Sequence, residues 1–185
     1  MSHLRTAAFA MIFAASPALG DDVTDTLDSA MAAYADGDIS YAIEELDYAK
    51  QLLQSMQTGA LADFLPEAPD GWSREDDSEL GAGMAMFGGG TGASARYFND
   101  AGEEYTLTIL ADSPMITMMS GMITNAAMMG LKMERVGREK FVNQDGELSG
   151  LIGNRILVQA SGADIETMKN ALGQIDYKAL GSFGE

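Results

Sequence analysis

Few side chains in this sequence can do chemistry near neutral pH. Its 185 residues include no Cys and a single His, His3. Disulfides, zinc fingers, iron–sulfur clusters and thiol nucleophiles all require Cys, so the chain holds none of them. The remaining candidates are thioethers, glycine-rich backbone and carboxylates. Of the 14 methionines, nine lie between Met84 and Met133. Met115, Met118 or Met119, Met122, Ala126 and Met129 recur at helical spacing, and Met118/Met119 and Met128/Met129 widen the apolar surface beyond one stripe. Three uses fit such a set. Thioethers are soft donors for Cu(I) or Ag(I). Met-rich surfaces adapt to apolar ligands or partner helices. A Met stripe at helical spacing also serves as plain core, the commonest use. Copper sites usually mix Met with His or Cys, which the chain lacks.

Gly88-Gly89-Gly90-Thr91-Gly92 offers backbone N–H groups that suit a phosphate. It lacks the Lys-Ser/Thr ending of a P-loop and no strand–loop–helix frame surrounds it. The plainer reading is a flexible hairpin tip or an edge bulge, with Arg96 as the nearest cation. Acidic clusters at Asp21-Asp22, Asp36-Gly37-Asp38 and Glu75-Asp76-Asp77 attract Ca²⁺ in principle, but none completes an EF-hand loop; acid runs are mostly solvated surface. Catalysis without His or Cys leaves paired carboxylates, as in glycosidases. Glu103 and Glu104 are adjacent on a predicted strand and point to opposite faces. No Ser-x-x-Lys spacing appears. The reading assigns no catalytic residue, no metal ligand and no cofactor.

Charge narrows the partners. With 11 basic and 28 acidic residues, the net charge is −17, which repels the phosphates of nucleic acid. Residues 1–20 read as a secretory signal: Arg5 in the n-region, a short apolar core over Ala7–Ala15, then Ala18-Leu19-Gly20 ahead of Asp21. The expected location is the periplasm or the exterior, where ATP and nicotinamide cofactors are usually absent. Removal of the leader takes away Arg5 and His3 and leaves a net charge of −18. Ser113–Leu131 is 19 residues without a charge, close to a spanning length. Its polar residues, Pro114 and Gly121 favour burial against a sheet over stable membrane insertion.

The elements that must position these residues fall into two parts, separated by charge: net −14 from Asp21 to Gly81, and net −4 beyond it. Residues 21–57 predict a helical hairpin. Val23, Leu27, Met31 and Tyr34 mark one face of the first helix, and Ala42, Ile43, Leu46, Ala49, Leu52, Leu53 and Met56 mark the second, over Ile39–Met56. With Tyr34 before it, the Gly37, Ala42, Leu46, Ala49 series resembles the helical hairpin of a single tetratricopeptide unit. About 30 residues carry the likeness and no second copy follows, whereas stacked repeats need three or more. The alternative is an ordinary helical hairpin docked on a neighbouring domain.

Residues 58–71, with Pro66 and Pro69, read as a linker. Residues 72–185 predict a sheet domain. A strand near Trp72, strands over Ala93–Phe98 and Glu104–Ala111, and a helix over Met115–Met129 come first. Strands over Lys132–Val136, Glu139–Gln144, Glu147–Ile152 and Arg155–Ala160 precede a last helix opened by Asp164. Asp145-Gly146 signals a type I′ turn and Gly153-Asn154 the other primed type. The fold class is therefore α+β, an antiparallel sheet with two packed helices. Leu65-Pro66…Gly71-Trp72, the meander and the closing helix are loosely similar to the Mog1/PsbP-like α+β fold. That likeness concerns element order and transfers no functional residue.

The functional expectation is an exported, acidic, non-catalytic binding or interaction protein. Its surface would comprise Met84, Met86, Met115, Met118, Met119, Met122 and Arg96, and its partner a protein or an apolar small molecule. A Cu(I)/Ag(I)-binding protein and a carboxylate-based hydrolase are the alternatives.

Overall fold

The computed structural model of the chain describes residues 21–77, 80 and 89–184. Two compact units divide it at Ala49/Lys50.

In the first unit, α1 spans Asp22–Ala35 and is followed by the start of α2, which runs Ile39–Ala62. Asp21 caps α1 by accepting from the Thr24 N–H at 2.8 Å. Gly37, at φ 80°, turns the chain between the helices. The buried side of α1 is not the predicted one, and on the first part of α2 only the alanines of the predicted stripe are buried. Thr26, Ala30 and Ala33 are the buried residues of α1, while Leu27, Met31 and Tyr34 are exposed. On the first part of α2, Ala42 and Ala49 are buried and Ile43 and Leu46 are exposed. The hairpin thus buries small residues and leaves the large apolar stripe uncovered.

In the second unit, seven strands form one antiparallel sheet in the order β1-β2-β3-β7-β6-β5-β4. The strands are β1 Trp72–Asp76, β2 Thr91–Asn99, β3 Glu104–Ala111, β4 Lys132–Val136, β5 Glu139–Gln144, β6 Glu147–Ile152 and β7 Ile156–Ser161. This is the expected α+β architecture, with strand bounds within one or two residues of those predicted. Period-2 alternation sorts the side chains by face. One face carries Tyr97, Tyr105, Leu107, Ile109, Phe141, Leu148 and Val158. These join Leu61 from the end of α2, Leu65 just beyond it, and Met168, Leu172 and Leu180 from the closing helices in the main core. The other carries Leu110, Val142, Leu151 and Leu157 beneath α3, which spans Pro114–Thr124. β7 lies under both layers, so Ile156, Leu157 and Val158 are consecutive and all fully buried.

Four local differences from the sequence reading have physical reasons. The end of α2 continues through residues 58–62, which were expected in the linker, because Leu61 is fully buried in the sheet core. α3 stops at Thr124 and not at Met129. The following turn closes with Leu131 N–H donating to Ala126 O and Gly130 N–H to Ala127 O, Gly130 having φ 74°, the pattern of a Schellman stop. Gly153 and Asn154 both have positive φ, so their turn belongs to type I′, as does Asp145-Gly146, and not to the other primed class. The last helix divides into α4, Ile165–Leu172, and a short α5, Tyr177–Gly181, with Asp164 and Asp176 as separate N-caps.

Gly150 faces the Phe141 ring across β5 and β6; a Cβ there would lie 2.7 Å from a ring carbon. Phe141 is fully buried. Gly150→Ala is therefore expected to cost about 1–3 kcal/mol through overpacking, read as a lower urea midpoint at unchanged slope.

Candidate functional site

The predicted surface does not come together as one site. Met84 and Met86 lie outside the described residues. Met115, Met119 and Met122 are partly buried and pack on the second face of the sheet with Ile116, Ile123 and Ala126. Helical geometry puts Met118 on the opposite side of α3, 76% exposed. Arg96 stands elsewhere on the same sheet face, on β2. It bonds Glu75 at 2.5 Å and Glu104 at 3.5 Å, with its guanidinium 4.9 Å from the Phe98 ring centroid. Two carboxylates already hold that cation. Around it the face is polar: Ser94 shares a hydrogen bond with Thr108 at 2.9 Å, and Gln159 donates to Glu147 at 2.7 Å.

The described part of the glycine-rich segment has a packing reason for glycine. Gly90 has φ 103°, and a Cβ on it would fall 2.8 Å from the Ser113 Cα. Among the described residues, no group of three or more His, Cys, Asp and Glu is arranged to hold a metal ion, and no helix is long and apolar enough to cross a membrane. Every carboxylate with a resolved shift moves downward. Hydrogen bonds from Thr24 lower Asp21, Lys132 and Lys169 lower Glu134, and Thr167 lowers Asp164.

A broad concavity lies on the opposite face of the sheet. It is an open groove of about 920 Å³, floored by Trp72 and Tyr105. Those rings lie 5.1 Å apart between centroids, and Tyr105 stacks on Tyr97 at 4.6 Å and 9°. Cross-strand pairing makes this row, since Tyr97 and Tyr105 are direct partners on β2 and β3. Pro66–Asp70 forms one wall. Thr167, Asn170 and Ala171 of α4, with Gln174 just beyond it, form the other.

Two donors hold the Pro66 wall. The Tyr97 hydroxyl donates to Pro66 O at 2.6 Å. Arg74 Nη1 donates to Leu65 O at 2.8 Å and Pro66 O at 3.3 Å, its Nη2 donates to Ala62 O at 3.2 Å, and its Nε bonds Asp76 at 2.6 Å. One guanidinium thus reaches the last carbonyl of α2 and two carbonyls of the chain that leaves it. Burial pushes the Tyr97 hydroxyl well above the ordinary tyrosine range, so it stays protonated and keeps donating.

Three carboxylates line the groove, Glu67, Asp70 and Glu103, and no Lys or Arg does. None of the three takes part in a salt bridge among the described residues; Glu103 accepts from Asn99 at 2.8 Å. An aromatic floor between acidic walls attracts a cation by two routes, the ring quadrupole and plain Coulomb force. The amides of Asn170 and Gln174 add donors and acceptors at the rim. Sequence reasoning noted Trp72 and both prolines but not their conjunction. The available signal was the sole Trp beside a Pro-bounded segment and the pairing of Tyr97 with Tyr105.

No protein-family model, curated protein or solved structure matches the chain.

Two outcomes follow for the walls. Arg74→Met removes the donors to Leu65 O and Pro66 O and is expected to cost on the order of 2 kcal/mol in urea unfolding. Asp164 caps α4 through Thr167 and the Glu166 N–H, which holds its carboxyl below the ordinary 3.8. A folded-state value lowered in this way gives stability that is complete above 3.8 and is lost as pH falls through the depressed value. Asp164→Asn is therefore expected to lose less stability than the parent as pH falls below 3.8, measured by urea midpoints at each pH.

Proposed function

We propose that the chain is an exported, acidic, non-catalytic binding protein of the periplasm or the cell exterior. Its ligand is a small organic cation or a cationic side chain, held in the groove over Trp72 and Tyr105. One observation carries this reading: the groove combines an aromatic floor with three carboxylates and no basic residue. Its volume of about 920 Å³ lies within the range of ligand sites. An anion would meet uncompensated repulsion from Glu67, Asp70 and Glu103. A neutral apolar molecule would leave those carboxylates to be desolvated without a partner. Packing of Met115, Met119 and Met122 against the sheet moves the preferred site from the methionine face to the groove.

A second reading, capture of Cu(I) or Ag(I), draws on the high exposure of Met118, Met128 and Met129. Native mass spectrometry with Cu(I) under reducing conditions separates it: a stoichiometric adduct supports metal capture, and its absence removes that reading.

Trp72 is the only tryptophan, so indole emission reports on the groove alone. Titration with tetramethylammonium and with spermidine is expected to change that emission saturably, and succinate and glucose are expected to leave it unchanged. Asp70→Asn and Glu103→Gln should each weaken binding roughly fivefold, the scale of one surface charge contact. No response to either cation, or an equal response to glucose, would contradict the proposal.

A further inference from the structure

The hairpin carries a set of exposed apolar side chains. Met31 is 68% exposed, Tyr34 71%, Ile43 55% and Leu46 52%, with Leu27 and Ile39 also exposed. Large apolar side chains at such exposure, in one contiguous set, mark an interaction face.

Helix geometry places them together. At 3.6 residues per turn, Leu27, Met31 and Tyr34 fall within about 60° of one another, and so do Ile39, Ile43 and Leu46. Each stripe is offset by roughly a quarter turn, in the same rotational sense, from the small residues its helix buries: Thr26, Ala30 and Ala33 on α1, Ala42 and Ala49 on α2. The helices are joined through the turn Asp36–Asp38, with Asp38 N–H donating back to Ala33 O. In an antiparallel hairpin whose small residues face each other, offsets of equal sense bring both stripes to the same side. The result is one apolar face built from two helices.

Its rims are acidic. Asp28 follows the α1 stripe, and Glu44 and Asp47 follow the α2 stripe, each on the side away from the buried residues. Residues 21–49 contain nine acids and no Lys, Arg or His. A second copy of the hairpin would offer a matching apolar surface but would set acid against acid along both rims. A partner with basic rims meets no such repulsion.

We propose that this face docks an amphipathic helix whose apolar stripe is flanked by Lys or Arg, supplied by another protein. The helix lies in the shallow furrow between the two stripes, with Met31, Ile43 and Leu46 as anchors and Asp28, Glu44 and Asp47 pairing with its basic flanks. Such docking places apolar anchors at i, i+3, i+4 and i+7 of the ligand helix. This surface is separate from the groove over Trp72, and neither proposal depends on the other.

The test uses the full chain with two designed helical peptides of equal length. Both carry Leu at i, i+3, i+4 and i+7; one has Lys at the flanking positions and the other Glu. Calorimetry is expected to show saturable, one-to-one binding of the Leu/Lys peptide and none of the Leu/Glu peptide. Met31→Glu/Ile43→Glu is expected to weaken the Leu/Lys peptide at least tenfold while leaving the Trp72 response to tetramethylammonium in place. That variant adds negative charge, so simple attraction of a cationic peptide by an acidic protein would strengthen binding instead. Three results overturn the proposal: unchanged or tighter binding to the variant, binding of both peptides alike, and a stable dimer of the chain at micromolar concentration that Met31→Glu/Ile43→Glu dissolves.

Discussion

The guanidinium of Arg74 spans the junction on which the groove depends. α2 ends in a tight turn, with Phe64 N–H donating to Leu61 O and Leu65 N–H to Ala62 O, and the chain then enters the Pro66–Asp70 segment. Proline at positions 66 and 69 cannot donate to any backbone ladder. That stretch is therefore held from outside, by Arg74 through Ala62 O, Leu65 O and Pro66 O and by the Tyr97 hydroxyl through Pro66 O. Both donors come from the sheet, on β1 and β2. The same strands supply Trp72 and, across one register step, Tyr105. Wall and floor are thus tied to one rigid support, which is the condition for a groove with a fixed width.

Charge is the second constraint. An excess of 17 acids over bases is compatible with folding only where carboxylates are solvated, paired or capping helices. Asp21, Asp164 and Asp176 cap helices, Glu134 lies between Lys132 and Lys169, and Glu75 and Glu104 share Arg96. Glu67, Asp70 and Glu103 are exposed and solvated and make no ion pair among the described residues, and Glu103 accepts from Asn99. The groove gathers carboxylates that the fold does not otherwise employ as ion pairs.

Much of the sheet was legible because strand periodicity and turn chemistry are local. Asn99 to Glu103, Asp145-Gly146 and Gly153-Asn154 punctuate the strands, and positive φ at Gly102, Asp145, Gly146, Gly153 and Asn154 accounts for the residue types found there. The hairpin was legible as two helices, but its buried side was not. Periodicity identifies an apolar stripe and says nothing of whether anything covers it; here alanines pack and the larger stripe faces solvent. The groove was illegible for another reason. Trp72, Tyr105, Asp70 and Asn170 are brought together by sheet order and by the return of α4 over the main face, which are tertiary facts. The methionines gave a local signal whose meaning depended on the same information. Met115, Met119 and Met122 turn toward the sheet and Met118 away from it, a distinction that residue type alone does not encode.

The central claim is that aromatic floor and acidic walls act as one cation site. Two-dimensional NMR of the isotope-labelled chain during addition of tetramethylammonium tests it most directly, because it locates the ligand. The account predicts saturating shifts confined to the Trp72 indole N–H, the side-chain amides of Asn170 and Gln174 and the backbone of residues 67–70. Shifts spread without saturation over the acidic surface, with the Trp72 indole unmoved, would contradict it.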